Sequence, residues 1–437
     1  MLLDRLNSKT LEARLKAVEE AVNAIHKGEL KATPTEEANN HVHSTYSFSP
    51  YYPSAIIYKA WEAGLKTVGI MDHDSVAGGH EALVASKAFG LATTVGFEMR
   101  VNFDGSALQG KKFNNPDSHN IVYIAIHGIP RQKIDEAQAF LKPVHVARNL
   151  RNRAMVDKLN GVLSQFNLPA LNFERDVYGI SLAHEGGSIT ERHLMCAMAN
   201  LLIAQWGKGE TLVQSIRTKL KLEVSTGLAK NLCDPQNPHL VYDLIGLLKS
   251  SFVPQVFIQP NHTECGSIYE AVAFAKKIGA IIAYAYLGDV GDSVTGDKLT
   301  EKFEDDFLDE LFPELRRIGF QAVTYMPPRN TLEQLLRVQR LCKKYDLFEI
   351  SGVDINSSRQ EFNCPILLEK DFKHLITSTW ALIAHERLSS IDLKYGIFSP
   401  TSPVAHLKLE ERVEIYDKIG RSIDYRKPEE ALQHFKG

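Results

Sequence analysis

The sequence predicts an α/β fold: a parallel sheet with helices on its outside and a helical segment inserted midway. Three observations predict it. From residue 39 onward, short apolar strand-like segments alternate with helix-periodic ones, the pattern of strand–helix–strand units with right-handed crossovers. Over about residues 131–255 the helical periodicity persists while strand signals vanish. The chain of 437 residues is long for one domain, which suits two lobes or one large α/β barrel carrying an insertion.

Residues 1–36 read as an amphipathic helical extension and a polar connector ending at "ATPTEEANN". "NNHVHS" is a short strand, and "PSAIIYKAWEAGL" is a helix punctuated by Pro53 in its first turn and Gly64 at its end. "KTVGIM" is a buried strand running into "DHDSVAGG", and "HEALVASKAFG" is a helix closed by Gly90. "LATTVGFEMRV" and "HNIVYIAIHGI" are strands. The insertion holds "IDEAQAFLKPVHVARNLRNRAMVDKLNGVLSQF" and "ITERHLMCAMANLLIAQW". The α/β rhythm then resumes with strands "AIIAYAYLG", "FQAVTYM" and "LFEISG" separated by helices. The main unit is expected over 37–370, and residues 371–437 form a mixed extension.

Composition narrows the function classes. Hydrophobic content of 44% with 24% charged residues describes a globular chain with a sizeable core. A net charge of −3 gives no electrostatic footprint for a nucleic-acid polymer. The charged N-terminus lacks the apolar stretch of a signal peptide, and no apolar run approaches the ~18–20 residues of a membrane span. Cys196, Cys233, Cys265, Cys342 and Cys364 are scattered and odd in number, so reduced thiols and a cytoplasmic location are expected.

Candidate site residues gather where strands should end, the place where a parallel barrel collects function. His41 and His43 share one face of the first strand by alternation. Asp72, His73 and Asp74 follow the second strand, Glu98 lies near the end of the third, His119 opens the fourth, and Asp354 follows "LFEISG". Taken singly, each has an ordinary reading: a polar-face pair, a turn with a helix cap, an ion-paired glutamate. As a set delivered by five segments, they form an imidazole–carboxylate ligand group suited to Zn, Mn or Fe.

"HVHSTYS", "GLKTVGIMDHDSVAGGHEA", "VGFEMRV" and "SHNIVYIAI" resemble successive motifs of the PHP (polymerase and histidinol phosphatase) family of metal-dependent phosphoesterases. "NLRNRAMVDKLN" is similar to the Arg-rich helix of its longer members, and "GGSITERHLMCAMANLL" to their R-P-H-[IL]-A segment. The resemblance implies a distorted (β/α)7 barrel with one to three divalent ions at its mouth. It implies His41, His43, Glu98 and Asp354 around one metal, Glu98 bridging to a second assisted by His119 and His193, and His73 at the remaining position. Asp72 and Asp74 would support the ligands from behind. Departures accompany the matches. Phe48 stands where relatives carry Asp, Tyr286 (with Tyr284 on the same face) where they carry the A-H-P histidine, and Asn356 where G-x-D-x-H ends. Tyr284, Tyr286 and Asn356 are therefore substitute ligand candidates.

Arg192, Arg329 and Arg359 are candidate phosphate-binding cations, since a guanidinium fork suits paired phosphate oxygens. The leading expectation is a hydrolase of a small phosphorylated metabolite or nucleotide. Hydrolysis of an amide or cyclic ester at the same centre, or metal binding without catalysis at a depleted site, are the alternatives.

Overall fold

The structure, a computed structural model, describes residues 1–115, 117–289 and 302–435. Its strands form one sheet in sequence order: β1 (Asn39–Val42), β2 (Thr67–His73), β3 (Ala92–Asn102), β4 (Ile121–His127), β5 (Ile281–Ala285), β6 (Ala322–Tyr325) and β7 (Phe348–Ser351). The chain opens with α1 (Leu2–Leu6) and α2 (Leu11–His26), and α3 (Pro53–Glu62) and α4 (Gly79–Phe89) separate the first strands. After β4 come α5 (Ile134–Gln165), α6 (Glu191–Trp206), α7 (Glu210–Thr218), α8 (Thr226–Cys233), α9 (Leu240–Val256) and α10 (Ile268–Ile278). The remainder holds α11 (Leu308–Ile318), α12 (Leu332–Lys344), α13 (His374–Ser389) and α14 (Leu409–Ser422).

The punctuation works as the residue types dictate. Pro53 occupies the first turn of α3, where its missing N–H costs nothing. Gly90 ends α4 in the left-handed region at φ 70°. The sheet curls until the segment after β7 meets β1: His43 N donates to Ile355 O (3.0 Å) and Ile355 N to His41 O (3.2 Å). Gly352 permits that approach, because a Cβ there would stand 2.5 Å from the His41 Cβ.

The expectation of a wholly parallel sheet needs one correction. β1–β2–β3 and β5–β6–β7 are parallel, but β4 runs antiparallel to both neighbours. No α-helix lies between β3 and β4, so no crossover returns the chain to the starting edge and β4 must run back. The helices instead follow β4, where α5–α9 enclose their own apolar cluster around Leu159, Met198, Leu202 and Leu248.

The C-terminal residues, weakly patterned in sequence, belong to the main core. α13 is buried almost throughout, and its Glu386 accepts a hydrogen bond from Val95 N (2.7 Å). At the other end, Arg14 of α2 makes two hydrogen bonds to Glu81 of α4 (2.8 and 2.6 Å), both side chains buried. Glu81 also accepts from the Ser54 backbone and hydroxyl, tying α2, α3 and α4 together. All five cysteines are free, and no helix of the described residues is long and apolar enough to cross a membrane.

Candidate metal centre

Register decides which side chains meet. His73 pairs with Glu98 across β2–β3, so both point to one face, and Val42 pairs with Ile70 on the other, which turns His41 and His43 toward Glu98. The outcome is a compact cluster. His41 Nε2 lies 3.2 Å from Glu98 Oε1, His73 Nδ1 lies 3.2 Å from Glu98 Oε2, and His43 Nε2 lies 3.1 Å from Asp354 Oδ1. Two ligand groups result, His41–His43–Asp354 and His43–His73–Glu98, each with donor atoms within 4.8 Å of one another. His43 Nε2 is buried and makes no hydrogen bond despite its neighbours, as an atom aimed at a cation would be.

The cluster's electrostatics point the same way. Burial disfavours charge on His41, but Glu98 and Asp354 outweigh it and raise its pKa to about 9. Burial opposes ionisation of Glu98, yet His41 and the other imidazoles bring it down to about 2. Asp354 is held well below the usual carboxylate range against its burial, chiefly by His43. Burial and the neighbouring His43 push His73 down to about 3. Two carboxylates thus gather positive charge, which a divalent ion would supply in place of protons.

Asp72 supports this cluster from behind. It accepts from Ser44 N, Ser44 Oγ and Ser47 Oγ, all at 2.6 Å, and the Ser47 hydroxyl stands 3.3 Å from His43 Nδ1. The chain Asp72–Ser47–His43 fixes the imidazole whose other nitrogen faces the cluster. Asp74 serves differently. At φ 50° it pairs with Arg148 of α5 and joins a buried set in which Arg100, Arg148 and Arg151 face Asp74, Glu191 and Glu264. Arg100 and Glu264 are direct partners, and Arg151 reaches Glu264 at 2.7 Å and Glu191 at 2.9 Å. Three charges of each sign therefore seat α5 and α6 on the sheet's mouth.

Beside the cluster lies a cavity of about 70 Å³ lined by Ser47, Phe48, His73, Tyr123, Arg148, Thr190, Glu191, Arg192, Lys249 and Asn356. Arg192 is thus where a phosphate-binding cation is expected. Arg359 is ion-paired to Asp243 (2.5 Å) on the surface, and Arg329, in the turn after β6, is not among the wall residues. Phe48 holds φ 93°, a left-handed backbone uncommon for a bulky residue, and its ring lies 4.9 Å from that of His193 and 5.8 Å from Tyr242.

Several expected ligands lie elsewhere. His119 is exposed and precedes β4. In the register of β3 with β4, Ala125 is the residue level with Glu98, which leaves His119 six positions, roughly 20 Å of extended chain, beyond that level. Tyr284 pairs with Ile124 on the outer face of the sheet and packs near Phe320; the inward neighbours are Ala283 and Ala285. The Tyr286 hydroxyl donates to Asp305 (2.7 Å). Asn356 donates to Asp354 Oδ1 (2.6 Å), steadying that carboxylate. His193 is buried, but among the described residues it belongs to neither ligand group.

Sequence reasoning passed over Arg148, Lys249, Tyr123 and His127. Arg148 and Arg151, at i and i+3 on one helix face, were a readable sign of a shared role. His127 faces inward below Ala125 with its Nε2 unpartnered, and burial holds its pKa near 3. A lone histidine in an apolar strand gives no such signal in sequence.

No family model matches the chain. A 5′-3′ exoribonuclease of Haemophilus influenzae is 22% identical over 184 residues, covering 42% of this chain and 65% of the relative's length. Two solved structures are similar at 18% identity. One, from Bifidobacterium adolescentis and assigned as a metal-dependent phosphoesterase, has a TM-score of 0.49 and covers 79% of this chain and 98% of its own. The other, an amidohydrolase from Chromobacterium violaceum with bound sulfate and no metal, has a TM-score of 0.47 and covers 75% and 90%.

Proposed function

We propose that this protein is a metal-dependent phosphoesterase of the PHP type, a cytoplasmic enzyme acting on a small phosphorylated metabolite or nucleotide. The observation that carries the reading is the juxtaposition of the His/Asp/Glu cluster with a cavity walled by Arg148, Arg192 and Lys249. The curled sheet is read as the distorted (β/α)7 barrel of that family. The exoribonuclease relative, though covered only in part, bears a name that also denotes attack on a phosphate ester.

In this reading His41, His43 and Asp354 would hold one divalent ion. A second ion would be held by Glu98 and His73, which form a ligand group with His43. Mn, Zn or Fe suits this mixed ligand set, and such an ion supplies Lewis acidity and lowers the pKa of water. The chain's own residues do the rest. Arg148 is fixed by Asp74, so its guanidinium meets the phosphate without reorganising. Arg192 and Lys249 join Arg148 on a wall that also carries the Glu191 carboxylate; three cations against one carboxylate suit an anionic group better than an amide. Phe48 and Tyr123 contribute aromatic side chains to the cavity wall.

Metal content of the purified protein, measured together with hydrolysis of an aryl phosphate under Mn, Zn and Fe, tests the proposal. Activity that depends on metal and is lost in Glu98→Ala is expected. Protein that takes up no metal and hydrolyses nothing under any of the three refutes it. Metal uptake without hydrolysis would favour the binding-only alternative.

A further inference from the structure

His41, His73 and Glu98 are carried by strands, but Asp354 is not: β7 ends at Ser351, and the carboxylate, 34% exposed, stands in the loop that follows. Its position is therefore set by what holds residues 354–360. On the inner side, Ile355 is tied to His41 and His43 by backbone hydrogen bonds. On the outer side, Gln360 folds the loop around the ligand. Its Oε1 accepts from the backbone N–H groups of Asn356 (2.8 Å) and Ser357 (2.7 Å), and its Nε2 donates to Asp354 O (2.7 Å). Asn356, placed by that brace, donates to Asp354 Oδ1 (2.6 Å).

The residues beside that brace reach across to the helical insertion. Arg359 donates from Nε to Asp243 Oδ1 (2.5 Å) and from Nη2 to Oδ2 (2.8 Å), the fork geometry of a guanidinium on a carboxylate. Asn237 donates to the same Oδ2 (2.8 Å), and Ser358 Oγ stands 2.7 Å from His239 Nδ1. Asp243 lies in the first turn of α9, the helix that also carries Lys249. A wholly exposed ion pair would do little, but the Asp243 side chain is only 7% exposed, and a fork fixes direction as well as distance. We propose that the Arg359–Asp243 pair is a clasp that positions Asp354 for metal, so that the insertion completes a ligand group whose histidines come from β1 and the residue just after it. The inference rests on the metal centre of the phosphoesterase reading. Arg359 is a positioning residue: it acts on Asp354 through Gln360 and Asn356. Asn356 and Lys249 line the same cavity, so the clasp joins the two elements that meet there.

A double-variant cycle tests this. Whichever of Mn, Zn and Fe the parent takes up is titrated by calorimetry into the parent and into Asp354→Asn, which identifies the binding step that Asp354 serves. Arg359→Ala and Asp243→Asn cut the clasp from opposite sides, and each is expected to weaken that step about tenfold. Arg359→Ala combined with Asp354→Asn should weaken it no further than Asp354→Asn alone, because a residue that works through Asp354 has nothing to add once that carboxylate is gone. A general loosening of the fold would add its own loss, so additive losses overturn the inference. Unchanged affinity in the two clasp variants overturns it too, as does an Asp354→Asn variant that binds metal like the parent. Hydrogen exchange of the metal-free protein gives a reading without metal: the Asn356 and Ser357 amides should exchange faster in Arg359→Ala, and unchanged exchange counts against the clasp. A parent that takes up none of the three ions overturns the phosphoesterase reading and the clasp together, whereas a metal-binding parent with unaltered clasp variants overturns the clasp alone.

Discussion

Metal binding at this centre should release one proton near neutral pH, and the proton should come from His41. In the metal-free protein Glu98 and Asp354 raise that imidazole to about 9, so it is charged at pH 7. A cation must displace the proton, at a cost of about 3 kcal/mol, or roughly a hundredfold in apparent affinity at pH 7. Affinity should therefore climb about tenfold per pH unit and level off near pH 9. His73, held near 3, has no proton to give. Calorimetry in two buffers of different ionisation enthalpy counts the protons directly. Stability gives a second reading with a definite sign. His41 is raised from 6.5, so its contribution is complete below 6.5 and is lost as pH rises through about 9; Glu98 is lowered from 4.5, so its contribution is complete above 4.5 and is lost as pH falls through about 2. Metal-free protein should melt highest between about 4.5 and 6.5 as far as these two groups decide it. Metal affinity that is flat between pH 6 and 8, with no proton released, would refute the account.

The remaining predictions separate support of the centre from support of the fold. Asp72→Asn replaces the carboxylate held by Ser44 and Ser47 and loosens the chain that orients His43, so metal affinity should fall about 10–100-fold with little change in melting temperature, measured by calorimetry and thermal denaturation. Arg14→Ala strands Glu81 in a buried site and should cost about 3–5 kcal/mol in denaturant unfolding while metal stoichiometry stays that of the parent. Glu264→Gln leaves Arg100 and Arg151 short of a counter-charge; a loss of similar size, about 3–5 kcal/mol, should come with faster proteolysis within α5–α9, read by limited digestion.

The structure makes clear why some of this was legible in sequence. Strands and helices were readable because Pro53, Gly64 and Gly90 punctuate them and apolar spacing sets their faces. His41, His43, His73, Glu98 and Asp354 were readable because strand alternation and strand ends are sequence properties. Strand direction is not such a property. Apolar periodicity is the same for a strand that rises and one that returns and sets no register, so nothing in the sequence shows that Ala125, rather than His119, stands level with Glu98. The one-residue phase of β5 is equally invisible: the family resemblance points to the tyrosines, while pairing with β4 turns Ala283 inward and Tyr284 outward. Long-range partners were hidden for a different reason. Arg148 meets Asp74 across seventy-four positions, and nothing local to either residue encodes that meeting. His193 is the sharpest case, since its place in the chain matches a metal ligand while it joins neither ligand group and its Nδ1 meets the backbone N–H and hydroxyl of Thr190, three residues earlier. A ligand residue is defined by what its other ring nitrogen does, and that is settled only when the helix start around Thr190 has formed.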